Sequence, residues 1–219
     1  MTTEKKALII GATGLIGNEL VKLVAQSDYY QQIYILVRRK AGFKYEKVTE
    51  ILADFDKLEE SLRSIQALDV YNCLGTTMKK AGSKDEFYKI DFSYPLEIAR
   101  IMKTKGSKTF LNVSALGAKK SSVIFYNRVK GELETALNEI GFKSLVIFRP
   151  SLLLGDRNEK RAGEDIAKKT YKVLDKIFIG PLKKYSGIEG KTVAQAMFEM
   201  AKRKPEGLTI LESDKIKEV

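Results

Sequence analysis

The sequence predicts an α/β domain in which a parallel sheet of about seven strands carries helices on both faces. Short continuous apolar runs alternate along the chain with amphipathic stretches of helical length, as in sheets that are buried on both sides. The 219 residues are 44% hydrophobic and 31% charged, which is typical of a globular protein. Without a repeat or a linker, residues 1–219 are predicted to form one domain, with the residues after 150 forming a small lid.

Each predicted strand is a short apolar run. The strands are Lys6–Ile10, Ile33–Val37, Val48–Leu52, Val70–Leu74, Thr109–Val113, Ser144–Phe148 and Leu208–Leu211.

The predicted helices have the apolar spacing of one buried face. They are Leu15–Gln26, Ser83–Lys105, Val123–Ile140, Glu164–Ile179 and Lys191–Arg203. Ser83 and Glu86 fit a capping box at a helix start, and Pro95 is expected to kink or divide that helix. Gly141 is expected to end the helix before it.

The composition excludes several kinds of chemistry. With no histidine and one cysteine, the chain has no Ser-His-Asp triad, no histidine-bound metal and no internal disulfide, so no metal site is predicted. The net charge is +11, but no basic run exceeds three residues, which favours a lysine-rich surface over specific nucleic-acid binding. The sequence shows neither a membrane span nor a signal peptide, which predicts a cytoplasmic protein without a membrane partner.

A glycine-rich loop, Gly11-Ala12-Thr13-Gly14-Leu15-Ile16-Gly17, joins the first strand to the first helix. Its glycines allow a tight turn, a close approach of backbone amides to a pyrophosphate, and close packing of the helix on the strand. The start of the helix offers free amides to the phosphates. This context predicts a Rossmann-type dinucleotide site that includes Thr13, Leu15 and Ile16.

The end of the second strand favours NADP(H) over NAD. It reads Arg38-Arg39-Lys40, with no carboxylate to bind a ribose 2′-hydroxyl. Arginine binds a 2′-phosphate with two donors, and Arg38 is the first candidate and Arg39 the second. Asp54 either accepts a hydrogen bond from the adenine amino group or caps a helix near Lys57.

A candidate proton-transfer site lies in the second half of the fold. Tyr126 and Lys130 are four residues apart and share one helix face. A neighbouring ammonium favours the phenolate form, which suits a tyrosine to exchanging a proton near neutral pH. Ser114 ends the fifth strand, where its hydroxyl is expected to polarise a substrate carbonyl.

With these motifs the chain resembles the short-chain dehydrogenase/reductase superfamily, in its extended or atypical branch. It is most similar to the Tat-interacting oxidoreductase group, whose members are often called nucleoside-diphosphate-sugar epimerase-like. The resemblance rests on the glycine spacing and on four segments: Leu36–Lys40, Cys73-Leu74-Gly75-Thr76-Thr77, Lys130-Gly131-Glu132 and Phe148-Arg149-Pro150-Ser151.

The resemblance implies NADPH at the glycine loop and Ser-Tyr-Lys roles for Ser114, Tyr126 and Lys130. It also implies that Lys130 holds the nicotinamide ribose, that residues 73–76 line the cofactor ribose, and that Pro150 and Ser151 lie beside the nicotinamide.

Three functions remain open at this point. The first is an NADPH-dependent reductase of a small carbonyl substrate. The second is a non-catalytic NADPH-binding redox sensor, and the third is an enzyme of the nucleotide-sugar epimerase type. A sugar-nucleotide epimerase is disfavoured because only a short region follows Pro150. The sequence leaves the oligomeric state open, and a homodimer is compatible with it.

Overall fold

The computed structural model describes residues 5–154 and 185–219. Within them, seven parallel strands form one sheet in the order β3-β2-β1-β4-β5-β6-β9, which confirms the predicted fold class. The strands are β1 (Lys6–Ile10), β2 (Gln32–Val37), β3 (Val48–Leu52), β4 (Asp69–Asn72), β5 (Thr109–Val113), β6 (Ser144–Arg149) and β9 (Gly207–Glu212). A separate parallel pair joins β7 (Leu153–Leu154) to β8 (Ile188–Glu189).

Helices of the described residues connect and cover these strands. They are α1 (Leu15–Gln26), α2 (Leu58–Ser61), α3 (Met78–Ala81), α4 (Lys84–Tyr88), α5 (Tyr94–Thr104), α6 (Phe125–Ile140), α7 (Gly190–Arg203) and α8 (Ser213–Glu218). A π-helical turn, Lys89–Ser93, joins α4 to α5.

Two apolar cores lie on opposite faces of the sheet because the side chains of each strand alternate between faces. In β1, Ala7 and Ile9 pack into the core beneath α1 and α7, while Leu8 and Ile10 pack into the core beneath α5 and α6. Burial on both faces explains why β1 reads as a continuous apolar run.

The strand order reverses between β1 and β4, which are neighbours although two strands separate them in sequence. In sheets of this kind, ligands bind outside the carboxyl ends of the strands at such a reversal. The loops after β1 and β4 meet here, so the fold brings the glycine loop against residues 73–77.

The helix predicted over Ser83–Lys105 forms one unbroken helical run, in which α4, the π-helical turn and α5 follow one another without a gap. The Ser83 hydroxyl accepts a hydrogen bond from the Glu86 amide at 3.1 Å, as the capping box predicts. Pro95 lies in the first turn of α5, directly after the π-helical turn, and it does not divide the helical run. The π-helical turn before it was not predicted.

Four of the other predicted elements have the predicted bounds, namely Lys6–Ile10, Leu15–Gln26, Val48–Leu52 and Thr109–Val113, and the remaining described ones differ by one or two residues. The helix predicted from Val123 begins at Phe125, and Gly141 ends it in a left-handed conformation. The helix predicted over Glu164–Ile179 and residues 155–184 of the predicted lid lie outside the described residues. No helix among residues 5–154 and 185–219 has both the length and the apolar character to cross a membrane.

Candidate functional site

A cavity of about 590 Å³ lies at the carboxyl ends of β1, β4 and β5. Its volume is in the range of small-molecule and cofactor sites. Its lining brings together the glycine loop, the loop after β4, and all three residues predicted for proton transfer. These lining residues include Thr13, Gly14, Leu15, Ile16, Arg39, Cys73, Leu74, Gly75, Thr76, Ser114, Tyr126 and Lys130.

The glycine loop is packed too tightly for side chains at two of its positions. Gly11 adopts a φ of +75°, and a Cβ there would lie 2.5 Å from the Cys73 carbonyl. A Cβ on Gly17 would lie 2.2 Å from the carbonyl oxygen of Gly11. These two glycines lie behind the cavity wall and let the loop, the helix and β4 approach one another.

The start of α1 faces the cavity without a side-chain cap. Gly14 is its N-cap residue, and the first turn contains no acidic residue. The free amides and the positive end of the helix dipole therefore remain available to an anion. Together with the tight glycines, this cradle fits the pyrophosphate of a dinucleotide.

Three charged residues near the start of the fold line the cavity: Glu19 and Lys22 of α1, and Arg39 after β2. Lys22 donates a hydrogen bond to Glu19 at 2.7 Å. Neither Arg38 nor Asp54 lines the cavity. Asp54 instead accepts a hydrogen bond from the Asp56 amide at 2.9 Å, within the turn before α2.

The loop after β4 forms one wall of the cavity. Its single thiol, Cys73, packs 3.9 Å from the sulfur of Met197. Burial raises the pKa of the Cys73 thiol to about 12, so it remains protonated at neutral pH. Cys73 therefore shapes the wall and does not act as a nucleophile.

Lys130 forms a buried ion pair with Asp91, which lies in the π-helical turn. The Lys130 Nζ is 2.8 Å from Asp91 Oδ1, and the two side chains are 5% and 0% exposed. Burial opposes the charge of Lys130, but the attraction of Asp91, with smaller contributions from Tyr126 and Glu134, outweighs it and raises its pKa. Lys130 is therefore a charged ammonium at neutral pH.

Tyr126 lies in the first turn of α6, partly buried at the cavity wall. Its ring packs against Phe87, with the ring centroids 5.6 Å apart. Tyr126 also interacts electrostatically with Lys130, as their spacing on one helix face predicts. A phenol and an ammonium thus share one side of the cavity.

The Ser114 hydroxyl is engaged behind the cavity wall. It donates its proton to Glu134 Oε1 at 2.5 Å. The two oxygens of Glu134 also accept from Arg149, from Nε at 3.0 Å and from Nη2 at 2.5 Å. Since a hydroxyl has one proton, Ser114 in this arrangement presents oxygen lone pairs, not a donor, to the cavity.

Pro150 and Ser151 do not line the cavity, although Leu153 does. The Pro150 carbonyl accepts a hydrogen bond from the Leu116 amide at 2.9 Å. Ser151 bonds to Ser213 and to the carbonyl of Ser186, which ties the end of β6 to the start of α8. In this structure both residues support the segment that leads to Leu153.

Two carboxylates of the site were not predicted from the sequence: Asp91, which lines the cavity, and Glu134, which accepts from Ser114. Glu134 lies four residues after Lys130 in α6, a spacing that places both on one helix face and was available from the sequence. Asp91 had no local signal, because the π-helical turn that orients it was not predicted. No cluster of His, Cys, Asp and Glu suited to a metal ion occurs in the described part of the chain.

The chain is similar to known proteins over most of its length, as a family model and two relatives show. The model of the NAD dependent epimerase/dehydratase family matches residues 7–124. Protein HTATIP2 of Rattus norvegicus is 40% identical over 171 residues, which are 76% of this chain and 70% of that protein. Protein FMP52, mitochondrial, of Candida albicans is 40% identical over 168 residues, which are 73% and 72% of the two chains.

Solved structures share the fold at low sequence identity. A UDP-glucose 4-epimerase from Thermotoga maritima superposes with a TM-score of 0.70 at 15% identity and covers 97% of this chain and 80% of its own. The oxidoreductase ylbE of Lactococcus lactis gives a TM-score of 0.67 at 18% identity, covering 97% and 95%. These structures support the Rossmann architecture.

Proposed function

Because the chain belongs to the NAD dependent epimerase/dehydratase family, we propose that it is an NADP(H)-dependent oxidoreductase that reduces a small carbonyl substrate. The observation that carries this proposal is one cavity lined by the glycine loop, Tyr126 and Lys130. A dinucleotide cradle and a proton donor beside a charged lysine are the two parts that such a reduction needs.

The residues of the cavity fit a dinucleotide. The glycine loop and the uncapped start of α1 suit the pyrophosphate, and Arg39 suits a 2′-phosphate. Four cations and two carboxylates line the cavity, which favours an anionic ligand: Lys22, Arg39, Lys80 and Lys130 against Glu19 and Asp91. A nicotinamide bound there would supply the hydride.

Residues of the chain itself would supply the proton that the reduced carbonyl oxygen takes up. Tyr126 donates its hydroxyl proton to the carbonyl oxygen as that oxygen gains negative charge. Lys130 stabilises the resulting phenolate and binds the ribose hydroxyls with its remaining donors. Ser114, whose proton goes to Glu134, presents only acceptor lone pairs to the cavity, so the direct bond to the carbonyl that the sequence suggested is not part of this proposal.

The test is NADPH oxidation by the purified protein, followed at 340 nm with a broad panel of aldehydes and ketones. We expect oxidation that depends on the carbonyl compound and saturates with its concentration. A protein that binds NADPH but oxidises it with no member of the panel would contradict the enzymatic role and favour the sensor described below.

Arg39→Ala is expected to weaken NADPH binding about 10- to 100-fold, because hydrogen bonds to a charged group contribute about 1.5–3 kcal/mol. NADH has no 2′-phosphate, so its affinity should change little. Titration of the intrinsic NADPH and NADH fluorescence measures both constants. The matched control is Arg38→Ala, which removes a neighbouring arginine that does not line the cavity. An equal loss from both variants would contradict the assignment to Arg39.

Ser114→Ala is expected to lower turnover about tenfold, far less than loss of the proton donor, because Ser114 shapes the cavity wall that it shares with Tyr126 but gives its own proton to Glu134. The variant should also lose about 1–3 kcal/mol of stability, since buried Glu134 loses a hydrogen-bond donor. The control is Ser144→Ala. Among the described residues, its buried hydroxyl has no hydrogen-bond partner, so its removal should be nearly neutral. Steady-state kinetics and urea unfolding give both quantities.

A second candidate function is a non-catalytic NADPH sensor, which the engaged Ser114 hydroxyl favours because no serine proton faces the cavity. A sensor must change its affinity for a partner when NADPH binds. Pull-down from the source cell at low and at saturating NADPH tests this role. A partner whose retention changes at least severalfold would support it, and an unchanged set of partners would count against it.

A further inference from the structure

We propose that Asp91 is a positioning residue that fixes the ammonium of Lys130 in the cavity and ties it to the loop after β4. This inference rests on the proposed function, since the purpose assigned to Lys130 is to bind the cofactor ribose and to stabilise the phenolate of Tyr126. It adds a carboxylate from a different helix to the predicted group of three residues.

Each carboxylate oxygen of Asp91 contacts a different part of the fold. Its Oδ1 lies 2.8 Å from Lys130 Nζ on α6, and its Oδ2 accepts a hydrogen bond from the Thr76 amide, also at 2.8 Å. Asp91 is fully buried although it lines the cavity. One carboxylate therefore connects the lysine to the backbone that forms the cofactor wall.

Gly75 completes this arrangement. A Cβ at Gly75 would lie 3.3 Å from Asp91 Oδ1 and 3.4 Å from Lys130 Nζ. The backbone of the loop thus packs directly on the ion pair, with no side chain between them. A shift of Asp91 would move both the ammonium and the wall next to it.

The π-helical turn explains how Asp91 reaches this place. Such turns insert a residue into a helix and change the direction of the side chains, and they occur frequently at functional sites. In this chain the turn spans Lys89–Ser93, with Asp91 at its centre and fully buried. A buried carboxylate is costly unless it is paired, so the turn and the ion pair depend on each other.

The pair leaves Lys130 free to act on a ligand. An ammonium has three donors, and Asp91 occupies one of them. The titratable groups that act on Lys130 are Asp91 from the π-helical turn and Tyr126 and Glu134 from its own helix. Of the three, Asp91 contributes most to keeping the ammonium charged.

The test compares Asp91→Asn, Lys130→Met and the double variant. In Asp91→Asn the amide oxygen can still accept from Thr76, but the charge opposite Lys130 is lost. We expect NADPH affinity to fall about tenfold at neutral pH and further as the pH rises, because Lys130 then loses its proton at a lower pH than in the parent protein. In the Lys130→Met background, Asp91→Asn should change the affinity little.

Two further variants separate this role from a general loss of stability. Asp69→Asn removes another buried carboxylate paired with a lysine, Lys204, at the amino end of β4 and away from the cavity. It should lower the melting temperature but leave the pH dependence of NADPH binding unchanged. Asp91→Glu keeps the charge and is the variant to use if Asp91→Asn does not fold; it should restore the pH dependence of the parent.

The outcomes are distinct. Equal losses from Asp91→Asn in the parent and Lys130→Met backgrounds would overturn the proposal, as would a parent-like affinity and pH dependence. If the parent protein fails to bind NADPH, the proposed function fails, and the Lys130 side-chain titration, followed by NMR without ligand, decides the inference. A lower titration pH in Asp91→Asn supports the positioning role, and an unchanged one overturns it.

Discussion

Replacing Tyr126 by phenylalanine is expected to lower NADPH-dependent carbonyl reduction about 10²- to 10⁴-fold, the range associated with a general acid. The substitution removes one hydroxyl and retains the ring that packs on Phe87. NADPH affinity should therefore change little, because the glycine loop, Arg39 and Lys130 still line the cavity. The loss should appear in kcat more than in KM.

The control for this variant is Tyr34→Phe. Tyr34 lies in β2 and does not line the cavity, so its hydroxyl has no role in the proposed reaction. Steady-state kinetics at several pH values, combined with fluorescence titration of NADPH, separate binding from turnover. If Tyr126→Phe retains the activity of the parent, proton donation by Tyr126 is refuted and another group must protonate the product.

Gly17→Ala adds a single methyl group and is expected to cause a large loss of stability and of NADPH binding. Alanine in place of glycine normally stabilises a helix by about 1 kcal/mol. In this chain the new Cβ would lie 2.2 Å from the carbonyl oxygen of Gly11 and 2.9 Å from the Ala12 Cα. These atoms belong to the backbone and cannot rotate away, so the clash outweighs the gain in helix propensity.

We therefore expect Gly17→Ala to lose at least about 2 kcal/mol of stability, within the range for overpacked sites. NADPH binding should fall below detection, because α1 must shift away from the loop that would hold the pyrophosphate.

Gly42→Ala is the control. Gly42 has a φ of +78° but open space around it, so alanine there should cost about 1–2 kcal/mol through backbone strain alone and leave NADPH affinity intact. Urea unfolding and fluorescence titration measure both effects. Parent-like binding by Gly17→Ala would contradict the assigned role of the glycine loop.

The fold was predictable because the central strands are buried on both faces. The apolar run Lys6–Ile10 and the glycine loop after it define the first strand-loop-helix unit with little ambiguity. The third strand, Val48–Leu52, lies at the edge of the sheet and is less apolar, but its bounds were also predicted correctly.

The site was predictable only where a local motif encodes it. The Tyr126–Lys130 spacing and the glycine loop depend on neighbours in the sequence, and the structure brings both to one cavity. The choice between Arg38 and Arg39 depends on which side chain the end of β2 turns toward the cavity, and periodicity does not resolve that. The prediction of a cytoplasmic location stays a prediction, and the yeast relatives are named mitochondrial.

The hydrogen bond from Ser114 to Glu134 could not be predicted from the sequence, for a different reason. Its hydrogen bond to Glu134 joins the end of β5 to the middle of α6, and Arg149 from β6 completes the group. Three elements distant in sequence meet there. From the sequence alone, a serine at a strand end is therefore interpreted as a hydrogen-bond donor to the substrate, because its acceptor within the protein is not known.

The most direct test of NADPH binding in this cavity is a crystal structure of the protein with NADPH. We predict the pyrophosphate against the start of α1, the 2′-phosphate within hydrogen-bonding distance of Arg39, and the nicotinamide beside Tyr126. Lys130 should contact the ribose while it remains paired with Asp91. A nicotinamide outside the cavity, or a 2′-phosphate that Arg39 does not contact, would contradict the central claim that this cavity pairs NADPH with Tyr126.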